Sequence, residues 1–226
     1  MILLQISTSA ADTVAVASDN TLSVLDLLFK GGFMMVPILI LSIMAVYIFV
    51  ERLLSIRKAS VTPDTFMDQI KSMVQGGDIS GAKMLCAQQS DSPIARMIEK
   101  GISRIGSPLK NIEVSIENVG KIEIYRLEKN LSLLATISGA APMMGFLGTV
   151  TGMIQAFIAI AQEEGAVSPK LLSEGIYQAM VTTAVGLLVG IVAYLGYNFL
   201  VARVQKIIHK MEYTSVDFID LLQEPH

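Results

Sequence analysis

Residues 131–161, LSLLATISGAAPMMGFLGTVTGMIQAFIAIA, and 171–202, LLSEGIYQAMVTTAVGLLVGIVAYLGYNFLVA, hold one charged side chain between them, Glu174 at a mouth of the second. Each exceeds the roughly 20 residues needed to cross a bilayer, so each can span with tilt and continue past the surface. Both carry a hydroxyl near the middle: Thr149 within Gly145-Phe-Leu-Gly-Thr-Val-Thr-Gly152, and Thr183 within Gln178-Ala-Met-Val-Thr-Thr-Ala-Val-Gly-Leu-Leu-Val-Gly190. A polar group repeated at the centre of two apolar helices points to helices that line something polar.

A third apolar run, Phe33 to Val50, is just long enough to cross, and Glu51, Arg52, Arg57 and Lys58 follow it. The chain therefore reads as an all-α membrane protein with three spans. Composition agrees: 52% of residues are hydrophobic, only 16% are charged and the formal net charge is −3, a balance that excludes a nucleic-acid binder. Arg52, Arg57, Lys58, Lys71, Lys83, Arg96, Lys100, Arg104, Lys110, Lys121, Arg126 and Lys129 lie between the first two spans, and Arg203, Lys206 and Lys210 follow the third. Only Lys30 and Lys170 fall on the other side, so the positive-inside rule places the N-terminus outside and the C-terminus in the cytoplasm.

These boundaries divide the chain into an external tail with an interfacial helix (1–32), the first transmembrane helix (33–50), a cytoplasmic helical domain (51–130), the second transmembrane helix (131–161), an external loop (162–171), the third transmembrane helix (172–202) and a cytoplasmic C-terminal helix (203–226). Met1 to Ala17 ends in Ala15-Val16-Ala17, yet it has no basic n-region and Ser7, Thr8, Ser9 and Asp12 interrupt its apolar core. It reads as a tail rather than a cleaved leader. Leu22, Leu25, Leu28 and Phe29 then share one helical face, suited to lying along the membrane interface.

From Ala59 to Lys110 the punctuation is that of short helices. Thr62-Pro63, Ser92-Pro93 and Ser107-Pro108 each offer a cap followed by proline at the first helical position; Asp78 offers another cap. Gly76-Gly77 and Gly106 are stop signals. Nothing here reads as catalytic: a Ser, His and acid constellation, a phosphate-binding glycine loop and a metal cluster are all lacking, and the histidines are His209 and His226. Neither a cofactor nor a metal is expected. Cys86, the single cysteine, reads as a small buried hydrophobe and not a reactive thiol.

Two longer stripes frame this region. Ile112, Ile116, Val119, Ile124, Leu127, Leu131 and Leu134 recur at three to five residues, which predicts a helix that enters the membrane without a break. Val201, Val204, Ile208, Met211, Ser215, Phe218 and Leu222 recur every three or four residues, a period suited to bundle packing. Two very long helices are thus expected to carry the membrane core into the cytoplasm.

Glycine recurs on both threonine-bearing spans: Gly145, Gly148 and Gly152 on one, Gly186 and Gly190 on the other. The pairs Gly148/Gly152 and Gly186/Gly190 have the spacing that lets helix backbones approach closely in lipid, and they suggest an oligomeric core. Counting from Gln162, Thr149 lies about 13 residues deep, roughly 20 Å; counting from Leu172, Thr183 lies about 11 residues deep, roughly 16 Å. A lone membrane threonine is ordinarily satisfied by a carbonyl of its own helix. Two at matched depth, beside glycines, point to a shared polar lining.

The segments Gly145-Phe-Leu-Gly-Thr-Val-Thr-Gly-Met153 and Gly175-Ile-Tyr-Gln-Ala-Met-Val-Thr-Thr-Ala-Val-Gly-Leu187 resemble the two signature helices of the ExbB/TolQ/MotA proton-channel family. The resemblance extends over the three-span layout, the Ser92-Pro-Ile-Ala-Arg-Met97 stretch and the Tyr197-Asn198 end of the third span. Three spans resemble ExbB or TolQ more than the four-span MotA type, and the N-terminal extension leans toward ExbB. The resemblance implies a multi-pass protein of the bacterial inner membrane, a homo-oligomer (a pentamer) around an ExbD/TolR-like dimer, surrounded by membrane lipids. Such a motor uses the proton-motive force and, for ExbB, energises a TonB-like transducer that works outer-membrane import. It also implies that Thr149 and Thr183 face an essential aspartate of the partner.

One residue departs from the pattern. Where ExbB and TolQ commonly carry a glutamate ahead of the second threonine, this chain has Gln178, which hydrogen-bonds but does not titrate. A proton carried through such an assembly would ride on another chain. Other readings are a TolQ-like envelope-maintenance subunit, a non-conducting membrane scaffold, and a solute transporter, which would need a broken helix or a mid-membrane polar site. Pro142 interrupts the second span, but its apolar surroundings fit a bend better than a substrate site.

Overall fold

The computed structural model describes residues 31–61, 63, 65–162 and 169–223, the last group from its backbone alone up to residue 171. The external tail, its interfacial helix, Thr62 and most of the 162–171 loop lie outside the described residues. Among the described residues there are seven helices: α1 (Met35–Ala59), α2 (Phe66–Gln75), α3 (Ile79–Gln88), α4 (Pro93–Ile102), α5 (Leu109–Glu128), α6 (Leu131–Gln162) and α7 (Pro169–Gln223). No strand occurs among the described residues. Among the described residues three stretches are long and apolar enough to cross a membrane: α1, the α5–α6 stretch, and α7 from Leu172.

The helices group into two compact units. The first contains residues up to Ile40 and Pro142–Leu188; the second contains Leu41–Ala141 and Val189–His226.

The second unit is built around side chains that α2, α3, α4, α5 and α7 bury together. Phe66 and Ile70, Ala82 and Cys86, Ile94 and Ile98, Ile112 and Ile116, and Val204, Met211 and Phe218 are all buried in one cluster. The 201–222 stripe supplies the α7 side of this core, because a period near 3.5 keeps successive apolar residues on one face. Ser92 caps α4, its hydroxyl accepting from Ala95 N at 3.4 Å, with Pro93 at the first turn. Asp78 caps α3 through Gly81 N at 2.8 Å. Gly76 and Gly77 end α2, the latter at φ +77° where a Cβ would be strained.

Three boundaries differ from the sequence reading. The helix after Pro63 begins only at Phe66, with Pro63 in the preceding turn and Thr65 at the cap position without a side-chain bond. Pro108 itself occupies the cap position of α5, so Ser107 does not cap it. The helix α4 ends at Ile102, four residues before Gly106, which turns the chain at φ +94°.

The largest correction is the break between α5 and α6. The 112–134 stripe does not run through one unbroken helix: Lys129 is extended and Asn130 adopts φ 63°, a left-handed conformation that asparagine tolerates better than most residues. Only α7 is a very long continuous helix, at 55 residues. The break leaves the last carbonyls of α5 without helical partners. The buried Arg52 of α1 supplies one, donating from Nη1 to Arg126 O at 3.1 Å while its Nε donates to Glu51 at 2.8 Å. A cation at a helix C-terminus is also favoured by the helix dipole.

A buried carboxylate ties α4 to α5. Glu123 is 2% exposed and accepts from Arg96 Nη2 at 2.5 Å and Arg126 Nη1 at 2.8 Å. Two charge-assisted bonds offset much of the desolvation that one buried carboxylate would otherwise suffer. Lys71 reaches Asp217 of α7 at 2.6 Å, and that bond raises the Lys71 pKa above its ordinary value.

Two outcomes follow. At Gly101 a Cβ would come within 2.6 Å of the Phe218 ring and 2.7 Å of Ile116 Cδ1. The variant Gly101→Val should therefore lower stability by about 1–3 kcal/mol, seen as an earlier thermal midpoint in detergent; an unchanged midpoint would show that α4 and α7 separate at no cost. Burial, with Glu99 adding to it, pushes the Cys86 thiol up to about 12. Because the reactive species is the thiolate, iodoacetamide at pH 8 should leave the folded protein unlabelled and modify Cys86 only after denaturation. Equal labelling rates in both states would contradict that burial.

Candidate functional site

The first unit brings the centre of α6 against the N-terminal part of α7. Gly145, Gly148, Gly152 and Ala156 recur at three or four residues along α6 and are all buried. Opposite them on α7 stand Gly175, Ala179, Thr182 and Gly186 at the same spacing. A Cβ on Gly145 would lie 3.0 Å from Thr182 O and 3.3 Å from Gly186 Cα, and one on Gly175 would lie 2.6 Å from Ala156 Cβ. Side chains larger than hydrogen at these positions would push the two backbones apart, which is how small residues permit close helix contact in lipid. Gly145, Gly148, Gly152 and Gly186 pack two helices of one chain against each other. Gly190 is buried on α7 beyond this seam.

The seam is antiparallel. Gly145 meets Thr183, Gly148 meets Thr182, Gly152 meets Ala179, and Ala156 meets Gly175, so one step up α6 matches one step down α7. By that register Thr149 is level with about residue 181, leaving Thr183 roughly 3 Å away along the axis. Their similar depth along the two helices is thus a property of the packed pair.

The hydroxyls are used differently. Thr149 Oγ1 donates to Phe146 O of its own helix at 2.6 Å, and Thr151 donates to Leu147 O at 3.0 Å. Thr183 donates across the seam to Gly145 O at 2.9 Å, made possible by the missing side chain on Gly145. Thr182, which sequence reasoning passed over in favour of its neighbour, is 1% exposed and donates to Ala179 O at 2.8 Å while filling the space over Gly148. The spacing Gly175, Ala179, Thr182, Gly186 was the signal that identifies it as a seam residue. A threonine hydroxyl has one donor and two acceptor lone pairs. With each donor committed to a carbonyl, the free capacity of Thr149 and Thr183 is acceptance.

Gln178 lies elsewhere. Its carboxamide sits against Gly32, which turns the chain at φ +68° just before α1, and a Cβ there would overlap the amide. The side chain is half-buried at that turn. Among the described residues no cluster of His, Cys, Asp or Glu is arranged to hold a metal. Residues 131–162 and 175–202 contain no ionisable side chain other than the phenols of Tyr177, Tyr194 and Tyr197. The site as built offers hydroxyl acceptors, a close-packed backbone and no carboxylate.

Residues 89–213 match the model of the MotA/TolQ/ExbB proton channel family, a span that includes α4, α5, α6 and most of α7. An ExbB-like protein of Synechocystis sp. is 30% identical over 81% of this chain and 72% of its own length. The biopolymer transport protein ExbB of Aquifex aeolicus is 33% identical over 62% of this chain and 88% of its own length. The Tol-Pal system protein TolQ of Haemophilus influenzae is 38% identical over 38% of this chain and 37% of its own. With three membrane-length apolar stretches and a family match that takes in the whole α6–α7 seam, this multi-pass membrane protein belongs to the MotA/TolQ/ExbB proton channel family.

Proposed function

We propose that this chain is the wall subunit of a proton-driven motor in a bacterial inner membrane, and that the proton is carried by a carboxyl group of a partner chain. The observation that carries this reading is the combination of hydroxyls on α6 and α7 with the lack of any carboxyl or amine in residues 33–50, 131–162 and 175–202. Copies of the chain, five in the arrangement its family resemblance implies, surround the membrane helices of an ExbD/TolR-type dimer. The N-terminus lies outside, and α2–α5 with α7 from Arg203 onward lie in the cytoplasm, in keeping with the basic residues between the first two spans and after the third.

In this mechanism the partner's carboxyl, when protonated, donates to the oxygen of Thr149 or Thr183, whose own protons stay on Phe146 O and Gly145 O. Loss of the proton reverses the demand: the carboxylate needs donors, and a threonine must turn its hydroxyl away from its carbonyl to supply one. The two protonation states therefore prefer different contacts with the wall. A charge crossing 150 mV gains about 3.5 kcal/mol, and burying an acidic side chain at a helix centre costs roughly 2.5–3.5 kcal/mol on insertion scales, so the gradient is large enough to drive the exchange. Relative rotation of partner and ring would then couple proton flow to force on a TonB-like transducer and outer-membrane import. The local similarity to a Tol-Pal TolQ favours, as a second reading, the same motor applied to envelope maintenance.

Proton flux into liposomes tests the reading. The chain alone should conduct nothing above the lipid background, the chain with its carboxyl-bearing partner should conduct, and changing the partner's membrane Asp to Asn should abolish flux. A hydrogen bond to a charged group contributes about 1.5–3 kcal/mol, so Thr149→Val with Thr183→Val should lower flux of the assembled pair by about tenfold or more. Flux from this chain alone would refute the borrowed carboxyl; full flux from the double variant would remove the threonines from the path.

A further inference from the structure

Beyond the seam, the second unit contains a cavity of about 710 Å³ between the C-terminal turns of α1 and the middle of α7. Its cations are Arg57, Arg203, Lys206 and Lys210, and among the described residues no Asp or Glu lines it. Buried members of its lining, chiefly Ile56, Ile94 and Ile207, form an apolar floor, and Phe199 is exposed at the rim. A volume in this range, with an apolar base and convergent polar groups, is typical of small-ligand sites. Arg203 stacks over the Phe199 ring at 5.2 Å, which holds one guanidinium at the rim.

The position of the groove identifies the ligand class. Arg57 comes seven residues after the apolar run that ends at Val50, and Arg203 directly follows the one that ends at Ala202. The groove therefore opens at the boundary between lipid and water. From the groove toward the membrane, Val46 and Val50 on α1 and Leu195 and Val192 on α7 remain exposed, at 57%, 47%, 63% and 60%. A soluble anion would use the cations alone. A molecule with a negative head and apolar tails would use the cations, the floor and the exposed track together.

We propose that this groove binds an anionic phospholipid, with the headgroup phosphate held by Arg57, Arg203 and Lys206 and an acyl chain lying along the α1 and α7 surfaces. Basic residues at the membrane edge attract anionic lipid in general. The cavity adds a defined seat, and so a preference that survives extraction from the bilayer. The site is independent of the motor reading, since binding is measured on this chain without a partner or a proton gradient.

The test is native mass spectrometry of the full chain, purified and delipidated in a neutral detergent, then titrated with dioleoyl phosphatidylglycerol, dioleoyl phosphatidylcholine or inorganic phosphate. The wild type should retain phosphatidylglycerol at least about tenfold better than phosphatidylcholine, and equimolar inorganic phosphate should not displace it. Arg57→Gln with Arg203→Gln and Lys206→Gln should lose that preference while keeping the wild-type melting temperature. Ser60→Trp, which fills the groove and leaves the cations in place, should lose it too. Equal retention of both lipids, undiminished binding by the filled-groove variant, or displacement by inorganic phosphate would overturn the proposal. So would a triple variant that binds lipid normally but falls apart as an oligomer, which would assign the groove to contact between copies of this chain.

Discussion

The seam between α6 and α7 depends on the close approach of two backbones. A Cβ on Gly145 would meet the Thr182 carbonyl at 3.0 Å, so a larger residue there would press on the backbone of α7, and the contact rests on dispersion and on matched surfaces. In lipid that is the available source of association, because apolar side chains gain little by leaving apolar solvent. The same approach brings Gly145 O within 2.9 Å of the Thr183 hydroxyl, so one interhelical hydrogen bond is a consequence of the small-residue packing. Register, depth of the threonines and orientation of their lone pairs all follow from it.

Outside the apolar segments a different constraint operates. Three positive side chains, Arg52, Arg96 and Arg126, serve the end of α5 and the Glu123 carboxylate, and the chain is broken beside them at Lys129–Asn130. A broken helix would be costly in hydrocarbon, where carbonyls find no water. Here an arginine from α1 satisfies a carbonyl that the break exposes. The break is therefore sited where charged side chains can reach it, just before the apolar run that begins at Leu131.

Much of this was legible in the sequence for physical reasons. The number of membrane-length helices could be read because hydrocarbon tolerates so few charges that 31 residues without one admit little else. Ser92-Pro93 and Asp78 were readable as caps because their side chains bond neighbours in sequence. What was not legible depended on partners distant in the chain. The break at Asn130 interrupts an apolar stripe that itself continues through Leu127, Leu131 and Leu134, all buried, so periodicity alone concealed it. Arg126 and Lys129 followed by Asn130 do make a stop signal, a basic last turn and then a residue that tolerates positive φ, and the stripe masks it. The glycines announced close packing but not with whom, since GxxxG spacing is the same within a chain and between chains. Thr182 and Thr183 are adjacent in sequence, and only the register of α6 decides that one fills the space over Gly148 while the other bonds Gly145 O.

The position of Gln178 sharpens the division of labour in the proposed motor. Glutamine and glutamate have nearly the same shape, so the residue can occupy the turn at Gly32 as a glutamate would, with the amide nitrogen adding a donor. What it lacks is a proton to exchange. Were this position the proton carrier, a glutamine there would silence the channel; if its role is to pack at the turn before α1, glutamine serves as well as glutamate. The carboxamide lies against the Gly32 turn and not at the Gly145–Thr183 seam, where the hydroxyls are, which fits the second alternative. In the proposed motor a wall made of hydroxyls and carbonyls keeps the same charge whether or not a proton is passing, and so answers the two states of a moving carboxyl by turning a hydroxyl and not by titrating.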